Sequence, residues 1–199
     1  MKILIVIDMQ NDFLEGALRN EAGIKIIPGV VNKIKEYNAE RWPIFATRDT
    51  HDENYLQTQE GQKLPVKHCV EYSHGWRINE DIQNAFCEFG VYSSHYFGNW
   101  QKGDTPSMYP YTIVFDKHTF GSIALAKYLK HNYSDLKEKV EIEIVGVCTD
   151  ICVISNAMLI KAALPEAKIR VNSSLCAGVT EESHKIALEA MRACQIEII

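Results

Sequence analysis

Glu141 to Asn156, EIEIVGVCTDICVISN, is the stretch whose reading decides the fold. Glu141 to Val147 is a short β-branched run that reads as a buried strand. From Thr149 the apolar residues Ile151, Val153, Ile154, Ala157 and Met158 recur at helical spacing. A strand therefore ends where a helix begins. Thr149 is the expected N-cap, which places Cys152 in the first turn, where backbone N–H groups have no intrahelical partner. The positive helix end there favours a thiolate and is expected to lower the cysteine pKa. The same N–H groups can hold an oxyanion formed when the sulfur attacks a carbonyl. The plainer alternative makes Cys148 and Cys152 small buried hydrophobes at a strand–helix junction.

Outward from this stretch the same alternation repeats. Lys2 to Asp8 is an apolar run ending in an acid, Pro28 and Gly29 open a helical stretch to Glu40, and Pro43 to Arg48 is the next strand. After about Pro110 come a strand to Lys117, a helix over residues 121–133, the central strand and helix, a strand over 167–172, a helix over 180–194 and a last strand at the end. Between Asp49 and Pro110 periodicity weakens, with one helical piece near Asn79 to Phe89 and a strand near Val91 to Tyr96. The chain thus reads as a single domain over 1–199, carrying a loop-rich insertion at about 50–110 that is long enough to be functional. The expected fold is α/β: an open, mostly parallel β-sheet sandwiched by helices on both faces, in three layers.

Composition narrows the functional classes. The 199 residues carry a net charge of -5 with no long basic run, which argues against nucleic acid as a partner. The amino-terminal apolar run is too short to span a membrane and lacks a signal-peptide cleavage region. Six cysteines without metal-knuckle spacing fit free thiols in a reducing compartment, so a cytoplasmic location is expected.

In such sheets, sites lie at the carboxyl ends of the strands, and Asp8, Asp49, Lys117 and the Cys148 to Cys152 turn all fall there. An Asp, a Lys and a Cys brought together have a chemical logic. Lys117 stabilises carboxylate and thiolate, and Asp8 takes the thiol proton and returns it to a leaving amine. Taken singly, a strand-end Asp caps a turn and a strand-end Lys is a solvated charge.

The motifs D-M-Q-N-D-F at Asp8 to Phe13, T-R-D-T-H at Thr47 to His51, H-C-V at His68 to Val70, K-H-T-F-G-S at Lys117 to Ser122 and G-V-C-T-D-I-C-V at Gly146 to Val153 complete the reading. In this order they resemble the isochorismatase-like cysteine hydrolases, and within them the nicotinamidase/pyrazinamidase branch. The resemblance implies a catalytic triad of Asp8, Lys117 and Cys152. It also implies an oxyanion hole from the amides of Cys148 and Cys152, and a cis peptide between Val147 and Cys148.

Asp49 and His51 alternate onto one face of an extended segment, and with His68 they suit Zn, Fe or Mn. Structural hydrogen bonding is the alternative for that pair. The resemblance implies one divalent metal, Zn first and Fe or Mn otherwise, with Glu60 filling the place where some relatives have an acidic fourth ligand, while the further His that many carry shortly after the D-x-H pair is missing from Asp52 to Thr58. It also implies apolar walls from Phe13 and Phe120, although Pro65 stands where relatives often carry a ring-clamping aromatic. Tyr92, Tyr96, Trp76 and Trp100 are further candidates to line the pocket. Asp150 is expected to be structural, and His118 points away from the site.

The implied function is metal-assisted hydrolysis of nicotinamide, or a similar heteroaromatic carboxamide, to the acid and ammonia. The partner is then a small-molecule amide, and relatives often form homo-oligomers. The rivals are hydrolysis of another small amide or carbamoyl compound, and a non-enzymatic flavodoxin-like binding module.

Overall fold

In the computed structural model, residues 1–86, 91–93 and 112–199 are described. The strands are β1 (Lys2–Ile7), β2 (Ile44–Asp49), β3 (Val91–Ser93), β4 (Thr112–Lys117), β5 (Glu141–Val147), β6 (Lys168–Ala177) and β7 (Glu197–Ile198). The α-helices are α1 (Asn11–Leu14), α2 (Glu21–Ala39), α3 (Gln59–Lys63), α4 (Glu80–Phe86), α5 (Ile123–Tyr133), α6 (Ile154–Ala163) and α7 (Glu181–Ala193). The strands form one sheet in the order β3-β4-β2-β1-β5-β6-β7, and every described pairing is parallel.

β1 shows why the molecule has three layers. Its apolar run has no polar face, so both faces must be covered. Ile3, Ile5 and Ile7 enter a core shared with α5, α6 and α7, while Leu4 and Val6 enter one shared with α2 and α4. Strand order reverses at β1: β2, β4 and β3 lie on one side, β5 and its followers on the other. The crevice at such a reversal is where open α/β sheets bind ligands.

Three local expectations are corrected. Helix α2 begins at Glu21, not at Pro28, because Asn20 accepts the Gly23 N–H at 3.0 Å and so caps it. The buried set Gly23, Ile27, Val30, Ile34, Tyr37 keeps helical spacing through Pro28, so burial outweighs the lost backbone donor. Thr149 is not the N-cap of the central helix. Its hydroxyl is buried against His184 Nδ1 at 2.8 Å, and the first turn, Thr149–Val153, is a wide π turn. The strand at Lys168 also runs to Ala177, five residues past the expected end at Asn172, since Gly146 and Val147 still pair with Cys176 and Ala177 beyond a bulge. The expected continuation of β3 to Tyr96 lies outside the described residues.

Gly146 is the tightest backbone position in the sheet. Its φ is +119°, and a Cβ there would lie 2.1 Å from the Ile7 carbonyl oxygen. At Gly29 an added Cβ meets only the tip of the Leu175 side chain, at 2.4 Å. Gly146→Ala is therefore expected to lower the unfolding free energy by about 3 kcal/mol, whereas Gly29→Ala stays within about 1 kcal/mol because a helix favours alanine. Urea denaturation of the two variants checks the contrast.

Candidate active site

Three strand ends and one turn converge. β2 and β4 run in register with Asp49 opposite Lys117, so the two side chains leave the sheet as neighbours. Asp8 follows β1, and the cis Val147–Cys148 peptide closes β5 ahead of the π turn. Lys117 Nζ lies 2.7 Å from Asp8 Oδ2, 3.2 Å from Asp49 Oδ1 and 3.7 Å from Cys152 Sγ. The Asp8 contact is an ion pair off the hydrogen-bond direction. Oδ2 is therefore the one buried side-chain oxygen among the described residues with no aligned donor, while Oδ1 accepts from the Thr47 hydroxyl at 2.7 Å.

Electrostatics follow from this dryness. Burial pushes the Asp8 carboxyl up, and Lys117 only partly offsets it. Burial works against the Lys117 charge, yet Asp8, Cys152 and Asp49 together hold its pKa well above the ordinary lysine value. Burial also raises the Cys152 thiol well above the usual range, against the pull of Lys117. The expected helix-end depression is thus overridden, because Cys152 is 5% exposed and its negative neighbours add to the penalty. Cys152 rests as a thiol.

Beside this group, Asp49, His51, Glu60 and His68 bring one donor atom each within 4.8 Å of one another. His51 Nε2 is 2.9 Å from Asp49 Oδ2 and 3.6 Å from Glu60 Oε1, and His68 Nε2 is 3.5 Å and 3.9 Å from the same atoms. In a tetrahedral site with Zn–N and Zn–O bonds of 2.0–2.1 Å, neighbouring donors stand about 3.3 Å apart. Two imidazoles and two carboxylates at these spacings fit a divalent ion with little movement. His68 Nδ1 donates to the Val66 carbonyl at 2.8 Å, which leaves Nε2 as the free donor facing the cluster. The Glu60 carboxyl is pushed up by burial and by the Asp49 charge, as expected where acids crowd one point.

A cavity of about 560 Å³ opens onto both groups, its walls including Phe13, Phe120, Leu64, Cys148, Cys152 and His68. Phe13 is buried with its ring 5.7 Å from that of His68, and Phe120 stands at the mouth, 44% exposed. Leu64, one residue before Pro65, supplies an apolar surface to the cavity wall. Trp76 is buried outside the cavity lining, its indole donating to the Thr50 hydroxyl at 2.8 Å. Asp150 accepts the Val179 N–H at 3.0 Å, and His118 Nδ1 faces the Thr50 carbonyl at 2.8 Å, so both serve loops. Tyr96, Trp100 and the side chain of Tyr92 lie outside the described residues.

A match to the isochorismatase domain covers residues 2–96 and 94–199. The chain belongs to that family. It is 25% identical over 202 residues to a nicotinamidase/pyrazinamidase of Mycobacterium tuberculosis, with 100% of this chain and 98% of that one covered. A nicotinamidase of Schizosaccharomyces pombe is 26% identical over 221 residues, covering 98% of this chain and 91% of the relative. Among solved structures, a pyrazinamidase of Pyrococcus horikoshii in complex with zinc has a TM-score of 0.71 at 27% identity, with 100% and 98% covered.

Within this isochorismatase fold, the motifs named the groups that meet in the cavity but not those that hold them. Gln10, fully buried, donates to the carbonyls of Asp49 (2.8 Å) and Trp76 (2.9 Å) and accepts the Asp49 N–H at 2.7 Å. Tyr55, also fully buried, packs its ring 4.5 Å from His51 and 4.9 Å from His68. Gln10 stands inside the first motif, two residues after Asp8, which is a signal that could have found it; Tyr55 gives none, being an aromatic in a loop.

Lys117 is the only cation that Asp8 and Cys152 touch among the described contacts. Lys117→Met is therefore expected to cost about 3–5 kcal/mol by stranding buried carboxylates. Cys152→Ala, which removes a neutral thiol, costs about 1 kcal/mol. Comparable losses for the two in urea denaturation would contradict a charge-held site.

Proposed function

We propose that the protein is a metal-assisted amidohydrolase that cleaves nicotinamide, or a similar heteroaromatic carboxamide, to nicotinic acid and ammonia through a thioester on Cys152. The observation that carries this reading is the contact set of Asp8, Lys117 and Cys152, of which Cys152 lines a cavity also lined by Asp49, Glu60 and His68 of the two-histidine, two-carboxylate cluster. Asp49, His51, Glu60 and His68 would hold a divalent ion, zinc first and iron or manganese otherwise. The bound ion supplies a Lewis-acid anchor for the ring nitrogen.

The remaining chemistry belongs to the chain. Cys152 rests protonated, so attack on the amide carbon requires a base at the moment of bond formation, and Asp8 is the group placed to take that proton. Its raised pKa suits it to hold the proton until the carbon–nitrogen bond breaks and then to pass it to the departing ammonia. Lys117 keeps its charge throughout and steadies first the carboxylate, then the developing thiolate. In the π turn the Cys148 carbonyl accepts from the N–H groups of Ile151 (3.1 Å) and Val153 (3.0 Å), passing over that of Cys152. The Cys152 amide, with that of Cys148, serves the oxyanion. Water deprotonated by Asp8 then attacks the thioester, releases the acid and restores the thiol. Phe13, Phe120 and Leu64 hold the ring between apolar surfaces.

Such a reaction places the protein in pyridine nucleotide salvage. Its described cysteines are all free, which suits a thiol nucleophile in a reducing cytoplasm. Among the described residues no helix is long and apolar enough to cross a membrane.

Zinc-loaded protein is expected to release ammonia from nicotinamide, with Cys152→Ala lowering the rate by roughly 10⁴-fold or more. His51→Ala should lose stoichiometric metal by elemental analysis. Undiminished ammonia release from Cys152→Ala would reject the thioester route.

A further inference from the structure

Asn156, on α6 one turn beyond Cys152, is fully buried and lies outside the cavity lining. All of its side-chain hydrogen-bonding groups are engaged. Nδ2 donates to the Cys152 carbonyl at 2.8 Å and to the Phe120 carbonyl at 3.2 Å, and Oδ1 accepts the Ser122 N–H at 2.9 Å. Three segments are thereby joined: the nucleophile's turn, the start of α6, and the loop that leaves β4 directly after Lys117. Ser122 in turn caps α5 by accepting the Leu125 N–H at 3.1 Å.

These bonds stand where the backbone alone leaves slack. A π turn is wider than an α turn and shifts its hydrogen-bond register, so its carbonyls do not all find the usual partner. The Asn156 amide takes up the Cys152 carbonyl at that register change. In the loop over 118–122, His118 faces the Thr50 carbonyl and Ser122 caps α5, while the bonds from Phe120 and Ser122 to one side chain tie the rest of the loop to α6.

We propose that Asn156 is a positioning residue that fixes the Cys152 turn against the Lys117 loop, setting Sγ opposite the ammonium and holding Phe120 as a cavity wall. The proposal rests on the reading of Cys152 as nucleophile given above. Catalysis that depends on a set geometry loses about 100-fold for an ångström of misplacement, even when the change lies away from the reacting atoms.

The test uses the full-length, zinc-loaded protein. Asn156→Asp keeps the acceptor for Ser122 but turns the donor into an oxygen facing two carbonyls. Asn156→Thr keeps a hydroxyl that can donate to the carbonyl four residues back but cannot reach Phe120 or Ser122. In Asn156→Asp, kcat for ammonia release from nicotinamide is expected to fall about 100-fold with KM within about threefold. Metal content stays at the wild-type value, and alkylation of Cys152 by iodoacetamide slows about tenfold, because Sγ moves away from the ammonium that steadies its anion. A loosened fold alone would speed alkylation instead. Asn156→Thr is expected to lose about tenfold in kcat, and it decides the matter if the acidic variant does not fold.

Wild-type kcat and alkylation rate in the folded variants would overturn the proposal, as would faster alkylation with kcat unchanged. Alkylation needs no amide. Slowed alkylation in a protein whose wild type releases no ammonia from nicotinamide would therefore uphold the positioning role and reject that substrate.

Discussion

One buried ammonium governs the arrangement of this molecule. Lys117, 4% exposed, sits among Asp8, Asp49 and Cys152, and little water-accessible surface shares the cost of its charge. Burying a lysine is expensive unless partners offset the lost hydration. Two carboxylates supply that offset here, and they would repel one another without it. Asp49 divides its oxygens: Oδ1 faces Lys117 and Oδ2 faces the imidazoles of His51 and His68. The Asp8, Lys117 and Cys152 group and the candidate metal cluster are therefore two halves of one charge network.

The sheet exists in the form that network requires. Bringing residues 8, 49, 117 and 152 together demands β1 between β2 and β5, with β4 outside β2, which is the observed order. Register does the rest, since Asp49 and Lys117 are direct neighbours across β2 and β4. Local backbone cost accumulates where the strands end. Asp8 and Cys69 take positive φ values of 48° and 46°, conformations unfavourable for residues with a Cβ. Both are held from outside: Asp8 by the Thr47 hydroxyl at 2.7 Å, Cys69 by Asp12, whose Oδ2 accepts its N–H at 2.7 Å. Strain at the site is thus sustained by side-chain hydrogen bonds of Thr47 and Asp12.

What was legible in the sequence follows from this division. Strands buried on both faces announce themselves as continuous apolar runs, so β1, β4 and β5 and the polar residues at their ends could be read directly. Asp8, Asp49, Lys117 and Cys152 meet for that reason, and His51, Glu60 and His68 came from motif and resemblance. Features that depend on a third dimension were not readable. The start of α2 was hidden because Pro28 and Gly29 look like a beginning, while the capping bond at Asn20 is visible only in space. Thr149 has the residue type of an N-cap, but His184, 35 positions away, claims its hydroxyl. Gln10 and Tyr55 act through side-chain contacts that no periodicity encodes.

The misjudged Cys152 pKa shows how these effects rank. A helix terminus offers a few tenths to about 1 kcal/mol toward an anion, falling off within a turn. Removing a thiolate from water at a site this deeply buried costs several-fold more. Here the first turn is a π turn and its residues pack into the core, so desolvation wins and Lys117 alone cannot reverse it. A thiol raised in this way is shielded from casual oxidation and alkylation, and as the proposed nucleophile it would need a base within the reaction itself. In the mechanism proposed above, that base is the acid at the end of β1. Asp8 is buried enough to have a raised pKa and close enough to Lys117 to ionise, so it is poised to exchange a proton with sulfur. The dryness that raises the thiol thus also raises the carboxyl proposed as its base.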